Sequence, residues 1–131
     1  MRFFLDNNLS AGIARALNHL LQPDHSAHHL SDEFAPSTPD VVWITELGNQ
    51  PNWVIISADV AISLNPHEIR AWREAGHPIF FLKHACAHQS RWEAASRLFH
   101  LFPEILKLAE KAKRGDVFFV PFKGKIERPA N

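Results

Sequence analysis

Short apolar runs, separated by stretches with helical spacing, constrain the possible folds of this chain more than any other feature. Four runs of about five residues read as buried strands, and the imidazole-rich segment His25–Leu30 reads as a fifth. The four runs are Arg2–Leu5, Trp53–Ser57, Pro78–Leu82 and Val117–Val120. Continuous apolar strands that alternate with helices are typical of a parallel sheet covered on both faces. The sequence therefore predicts an α/β fold with three layers, α/β/α, around a mainly parallel central sheet.

Apolar residues at three- and four-residue spacing predict the helices. The predicted helices are Leu9–Leu21, Pro39–Leu47, Pro66–Ala75, Gln89–Leu101 and Glu104–Arg114. We expect Asn7 or Asn8 to cap the first helix, Thr38 the second and Asn65 the third, because these side chains accept hydrogen bonds from free amides. Pro103 should break or kink the chain between the last two helices.

Other local features complete the expected architecture. Ser31–Thr38 should be a loop, Gly76 should end a helix, and Pro121 should mark the last strand as an edge strand. The phenylalanine doublets of the strands should lie in the core. We also expect the helical tryptophans Trp43, Trp72 and Trp92 to pack against the sheet.

Length and composition limit the class of protein. A chain of 131 residues predicts a single domain over residues 1–131. The single cysteine, Cys86, excludes an internal disulfide and fits a reducing compartment. No stretch is long and apolar enough to span a bilayer. We therefore expect a cytoplasmic protein without a membrane partner.

The charges are balanced overall but unevenly distributed. Residues 1–60 hold seven acids against Arg2 and Arg15, whereas the region from Lys107 onward holds seven bases against three acids. An acidic half and a basic tail suit a protein that gathers carboxylates around a cation and attracts an anion nearby. The same charge distribution would suit two complementary surfaces that associate with each other equally well.

Three aspartates are placed to meet at one edge of the predicted sheet. Asp6 and Asp59 each follow a strand, and Asp40 lies in the first turn of the helix before the second of these strands. Carboxylates brought together repel one another unless a cation neutralises them, and oxygen ligands favour Mg²⁺ or Mn²⁺. Glu46 and Glu68 are weaker candidates. Each acid also has a structural explanation, as a helix cap, an exposed charge or an acceptor for backbone amides.

Three motifs carry a resemblance to a known family. They are Phe3-Phe4-Leu5-Asp6-Asn7-Asn8-Leu9-Ser10, Pro39-Asp40-Val41-Val42-Trp43-Ile44 and Val54-Ile55-Ile56-Ser57-Ala58-Asp59. Together they resemble successive motifs of PIN-like domains, in particular the short PIN-like proteins related to VapC-type toxins. The resemblance implies a Mg²⁺- or Mn²⁺-dependent ribonuclease fold with Asp6, Asp40 and Asp59 at the acidic positions. Asn7 departs from the family, where an acid often follows the first aspartate.

Larger PIN domains carry a further acid on a helix, and in this chain Asp32, Glu33 or Glu46 are open alternatives for it. The function that follows is an endoribonuclease, the toxin component of a toxin–antitoxin system, with RNA as substrate. An antitoxin protein would cover the acidic edge, and a homodimer is plausible. The alternatives are a non-catalytic PIN-like interaction module and a phosphoacceptor signalling domain, in which Lys83 would act as the later strand-end lysine.

Basic residues near strand ends and in the tail are candidates for contacts with the RNA backbone. They are Arg70, Arg73, Lys83, Lys123 and Lys125. The nine histidines raise the question of a zinc site, either around His25, His28 and His29 or around His84, Cys86 and His88. Both groups lack the compact four-donor signature of a structural zinc site.

Overall fold

A computed structural model describes residues 1–58, 65–83, 90–121 and 123–128. Five strands and five helices lie within these residues, and they alternate along the chain except for two consecutive helices after the second strand. The strands are β1 (Arg2–Leu5), β2 (Ser26–His29), β3 (Trp53–Ser57), β4 (Ile79–Leu82) and β5 (Val117–Val120). The helices are α1 (Ala11–Leu21), α2 (Leu30–Glu33), α3 (Asp40–Gly48), α4 (Pro66–Ala75) and α5 (Arg91–Lys111).

The strands form one sheet in the order β2-β1-β3-β4-β5, and every pair of neighbours is parallel. In the centre, Leu5 of β1 lies opposite His29 of β2 and Ile56 of β3. This arrangement confirms the predicted parallel sheet. It also confirms the strand predicted around the histidines after residue 25.

Two separate cores cover the two faces of the sheet. Because successive strand residues point to opposite faces, Phe3 and Leu5 face α1 and α5, whereas Phe4 faces α2, α3 and α4. All three side chains are fully buried. The three-layer α/β/α fold is therefore confirmed. The phenylalanine doublets of the strands are also buried as predicted, apart from Phe119, which is partly buried against the core.

The last strand closes the sheet at one edge. β5 pairs only with β4 on one side, and on its other side Phe119 forms an antiparallel bridge with Glu127. Pro121 follows the strand directly, where its missing amide costs no ladder hydrogen bond. The predicted edge strand is confirmed, and the tail protects the backbone of that edge.

Two of the predicted helix caps and one predicted loop were wrong. Ser10, not Asn7 or Asn8, caps α1 by accepting a hydrogen bond from the amide of Ile13 at 3.1 Å. Pro39 occupies the N-cap of α3 without a side-chain hydrogen bond, so the expected cap by Thr38 is also wrong. The segment predicted as a loop after Leu30 begins with the short helix α2.

The predictions for α4 are confirmed at both ends. The Asn65 side chain accepts from the amide of His67 at 3.0 Å, with Pro66 at the first helical position. Gly76 ends the helix in the left-handed conformation, with φ of 79°.

Of the break or kink predicted at Pro103, the break does not occur, since α5 continues through it as one helix of 21 residues. An internal proline removes a hydrogen bond and costs a helix about 3 kcal/mol. Apolar side chains before and after Pro103 pack into the same core cluster, including Leu98, Phe102 and Ile105. We attribute the continuity of α5 to this packing.

Two of the three helical tryptophans pack as expected. Trp43 and Trp72 are 1% and 3% exposed, but Trp92 is 80% exposed. The prediction that Trp92 packs against the sheet was therefore wrong. Among the residues described, no helix is long and apolar enough to cross a membrane.

Candidate functional site

The described helices that come after β1 and β3 lie on opposite faces of the sheet. α1 follows β1 on one face, and α4, the next described helix after β3, packs on the other face. β1 and β3 are hydrogen-bonded neighbours, so the position between them is a switch point in the strand order. Such a switch point leaves a crevice at the strand ends, where open α/β sheets bind ligands.

Asp6 lies at this switch point, directly after β1, and is only 2% exposed. Its amide donates to the carbonyl of Ile56 at 3.3 Å, which continues the pairing with β3. Its carboxylate Oδ1 accepts from the amides of Asn8 at 3.1 Å and Ala58 at 3.4 Å. Its Oδ2 accepts from the hydroxyl of Ser57. A buried carboxylate is costly unless it is hydrogen-bonded, so these donors fix both its position and its orientation.

Ser57 is a site residue that the sequence analysis missed. It is the last residue of β3 and is fully buried, and its hydroxyl donates to Asp6 across 51 positions of sequence. A hydroxyl at the end of an otherwise apolar strand was the available signal, because a buried polar group needs a partner.

In the sequence analysis His29 was considered only as a zinc candidate, but in the structure it holds the loop after Asp6. Its Nε2 donates to the carbonyl of Leu9 at 2.7 Å, and its Nδ1 accepts from the amide of Ser31 at 3.1 Å. His29 is 4% exposed at the end of β2. The end of β2 therefore anchors the segment that carries Asp6, and its imidazole serves as a structural group here rather than as a zinc ligand.

Asp59 lies outside the described residues. Ala58, which precedes it, donates its amide to Asp6, so the described end of β3 lies at the Asp6 carboxylate. The prediction that Asp6 and Asp59 share one edge stays a prediction.

Asp40 is the first residue of α3 and is half-buried. Since only four residues separate the end of α3 from the start of β3, α3 runs antiparallel to the strands, and Asp40 lies toward the carboxyl edge. Its Oδ1 accepts from the indole nitrogen of Trp43 at 3.0 Å. Trp43 is buried, so Asp40 satisfies a core side chain in addition to any role at the edge.

The two weaker acidic candidates lie at different ends of their helices. Glu68 is in the first turn of α4, which runs back toward the start of β4, so Glu68 lies toward the carboxyl edge. Glu46 is exposed near the end of α3, toward the opposite edge. Within the described ranges, no three His, Cys, Asp or Glu side chains group closely enough to hold a metal ion. The second zinc candidate, around His84, Cys86 and His88, lies outside those ranges.

The basic candidates differ in their positions. Lys83 directly follows β4, and Lys123 and Lys125 follow β5, so all three belong to the carboxyl side of the sheet. Lys83 forms an exposed ion pair with Glu127. Arg70 and Arg73 are exposed on α4, and Arg73 lies in its last turn, away from Asp6.

The fold and the edge define a class: a parallel three-layer α/β/α domain with a buried, hydrogen-bonded aspartate at its switch point. A model of the family described as "PIN like domain" matches residues 1–84. The chain belongs to this PIN-like domain family. PIN domains are generally nucleases and typically use divalent metal ions.

The matched region ends just after β4, so Asp6, Asp40 and Asp59 all lie inside it. No curated protein and no solved structure matches the chain significantly.

Proposed function

We propose that this protein is a Mg²⁺- or Mn²⁺-dependent endoribonuclease in which Asp6, Asp59 and Asp40 hold the ion. The observation that carries the proposal is the buried Asp6 carboxylate, fixed by donors from the end of β3 at the switch point. The residues fit such an ion, because Mg²⁺ and Mn²⁺ prefer carboxylate oxygens and keep positions for water and phosphate.

The chain's own residues would act mainly by positioning. Ser57 and the amides of Asn8 and Ala58 hold the Asp6 carboxylate in one orientation before RNA arrives. Precise placement of this kind lowers the barrier without new contacts during the reaction. When bound, the ion supplies Lewis-acid stabilisation of the phosphoryl oxygens and activates water for attack on phosphorus.

The proposal includes a toxin–antitoxin role, with a small antitoxin protein covering the acidic edge. Exposed apolar side chains beside Asp40 support such a contact: Val41 is 43% exposed and Val42 is 54% exposed. The proposal also includes a homodimer, in which the acidic half of one copy would contact the basic tail of the other.

The substitution Asp6→Asn tests the nuclease directly. The amide oxygen of asparagine can still accept from Asn8 and Ala58, and its amino group can donate to Ser57, so we expect the fold to survive. We expect Mn²⁺-dependent cleavage of single-stranded RNA to fall by more than about 100-fold, since even residues behind metal ligands typically contribute 10–100-fold.

Asp24→Asn is the matched control for this experiment, because Asp24 is exposed in the connection between α1 and β2, at the opposite edge. Circular dichroism checks the fold of both variants. Cleavage by Asp6→Asn at the rate of the Asp24→Asn control would contradict the proposal and indicate a contaminating nuclease.

Two other functions have some structural support. A non-catalytic interaction module is consistent with an Asp6 whose carboxylate accepts three hydrogen bonds within the fold. A phosphoacceptor domain is consistent with the strand order 2-1-3-4-5, which such domains also use. Against the second, the Lys83 ammonium pairs with Glu127. A phosphate adduct in intact-mass measurement after incubation with a small phosphodonor would favour the phosphoacceptor.

A further inference from the structure

Trp92 differs from the other three tryptophans of the chain. Trp43, Trp53 and Trp72 are at most 4% exposed, whereas Trp92, in the first turn of α5, is 80% exposed. It is the most exposed large apolar side chain among the residues described. An indole presented to solvent is a large flat surface available for stacking.

The surroundings of Trp92 are polar and cationic. An open depression of about 460 Å³ is lined by Trp92, Glu93, Ser96, Arg97, His100 and Lys123. Trp92, Ser96 and His100 recur every four residues, so they form one stripe along α5. The acid, Glu93, is engaged in the capping box with Ser90. An aromatic side chain surrounded by cations is better suited to bind a nucleic acid than to bind an apolar protein surface.

Arg97 holds the segment that carries Lys123. Its Nε donates to the carbonyl of Pro121 at 2.9 Å, and its guanidinium also donates to the carbonyl of Gly124 at 2.7 Å. These contacts fasten the residues after β5 to α5. Lys123 is thereby kept beside Trp92, while the positive charge of Arg97 remains in the depression.

The depression and Asp6 belong to the same edge of the sheet. α5 follows β4 and Lys123 follows β5, and both strands are parallel to β1. Three strand spacings separate β1 from β5, which is about 14 Å across the sheet. An RNA strand of a few nucleotides can span that distance.

We propose that Trp92 is a stacking platform for an unpaired base of single-stranded RNA, with Lys123 and Arg97 attracting the adjacent phosphates. This inference rests on the ribonuclease proposed above and names how its substrate is held. Stacking on an aromatic side chain tolerates any base, because every base has a π face. The platform would therefore favour unpaired RNA without selecting a sequence.

The test measures binding without catalysis. In EDTA, the indole emission of the protein is followed while a single-stranded oligoadenylate of about 10 nucleotides is added. We expect quenching that is lost in Trp92→Phe, because the other tryptophans are buried. In a parallel assay with a dye-labelled oligonucleotide, Trp92→Ala should raise the Kd about 5- to 150-fold, the equivalent of 1–3 kcal/mol per stacked base. Trp92→Phe should retain most of the affinity.

Leu20→Ala is the matched control, since Leu20 is 69% exposed near the end of α1, at the opposite edge. Equal Kd values for Trp92→Ala and Leu20→Ala would overturn the proposal. So would an emission that changes with protein concentration but not with RNA, which would assign Trp92 to an interface between two copies.

The outcome is separable from that of the nuclease proposal. If Asp6→Asn abolishes cleavage while Trp92→Ala binds normally, the nuclease stands and the stacking platform falls. If RNA quenches Trp92 emission but the protein does not cleave RNA whichever divalent ion is added, the platform stands and the nuclease falls.

Discussion

At the scale of single residues, the candidate site is a carboxylate held by partners that are distant in sequence. Asp6 could be predicted, because a lone acid after a buried strand is visible in the sequence. Ser57 and His29 could not be assigned in the same way, since their contacts with Asp6 and Leu9 depend on which strands are neighbours. Trp92 was misassigned because its spacing from Ala95 and Phe99 matches a buried helical face.

Ser57→Ala should show how much the orientation of Asp6 matters. The substitution removes the hydroxyl that donates to Oδ2 in a site closed to solvent. We expect a loss of about 1–3 kcal/mol in the free energy of unfolding, because a buried acceptor loses its donor. Urea denaturation measures this change.

The same variant should cleave RNA about 10–100-fold more slowly, the usual cost of losing a group that orients a metal ligand. Ser37→Ala removes an exposed loop hydroxyl and provides the control. Unchanged stability together with unchanged cleavage would show that Ser57 does not position Asp6.

At the scale of elements, the length of α5 explains the exposure of Trp92, which helical periodicity did not predict. α5 is about 30 Å long at 1.5 Å per residue, whereas β4 and β5 extend about 13 Å each. The buried residues of α5 begin only at Leu98, so its first turns extend beyond the sheet. Helical spacing predicts which face is apolar, but not where the sheet beneath that face ends.

The continuity of α5 leads to a stability prediction at Pro103. Replacing this exposed proline with alanine restores an amide that can donate to the carbonyl of Phe99. We expect Pro103→Ala to raise the free energy of unfolding by about 1–3 kcal/mol. This gain is the stability that proline costs the helix, reduced by the stabilisation that proline provides by limiting the entropy of the unfolded chain.

Urea denaturation of Pro103→Ala beside Glu104→Ala, a neighbouring exposed position on the same helix, measures the effect. Equal or lower stability of Pro103→Ala would show that the proline fits the helix without cost.

At the scale of the whole molecule, the order of the strands in the sheet determines where Asp6 lies. The sequence predicted parallel strands and three layers correctly, because four apolar segments and one imidazole-rich segment are separated by amphipathic helices. It did not predict that β1 lies between β2 and β3, since periodicity identifies strands but not their neighbours. That order creates the switch point at Asp6. The family match ends at residue 84. The helix α5, which carries Trp92, and the strand β5, which precedes Lys123, therefore lie beyond the match.

The central claim is that Asp6 helps to hold a divalent ion at the carboxyl edge. The most direct test is the thermal stability of the protein during titration with Mn²⁺, for the wild type and Asp6→Asn. A ligand that binds only the folded state adds about 2.7 kcal/mol at a concentration of 100 Kd. We predict a melting temperature that rises by several degrees for the wild type and stays constant for Asp6→Asn. No rise for the wild type at millimolar Mn²⁺, or an equal rise for both proteins, would contradict the claim.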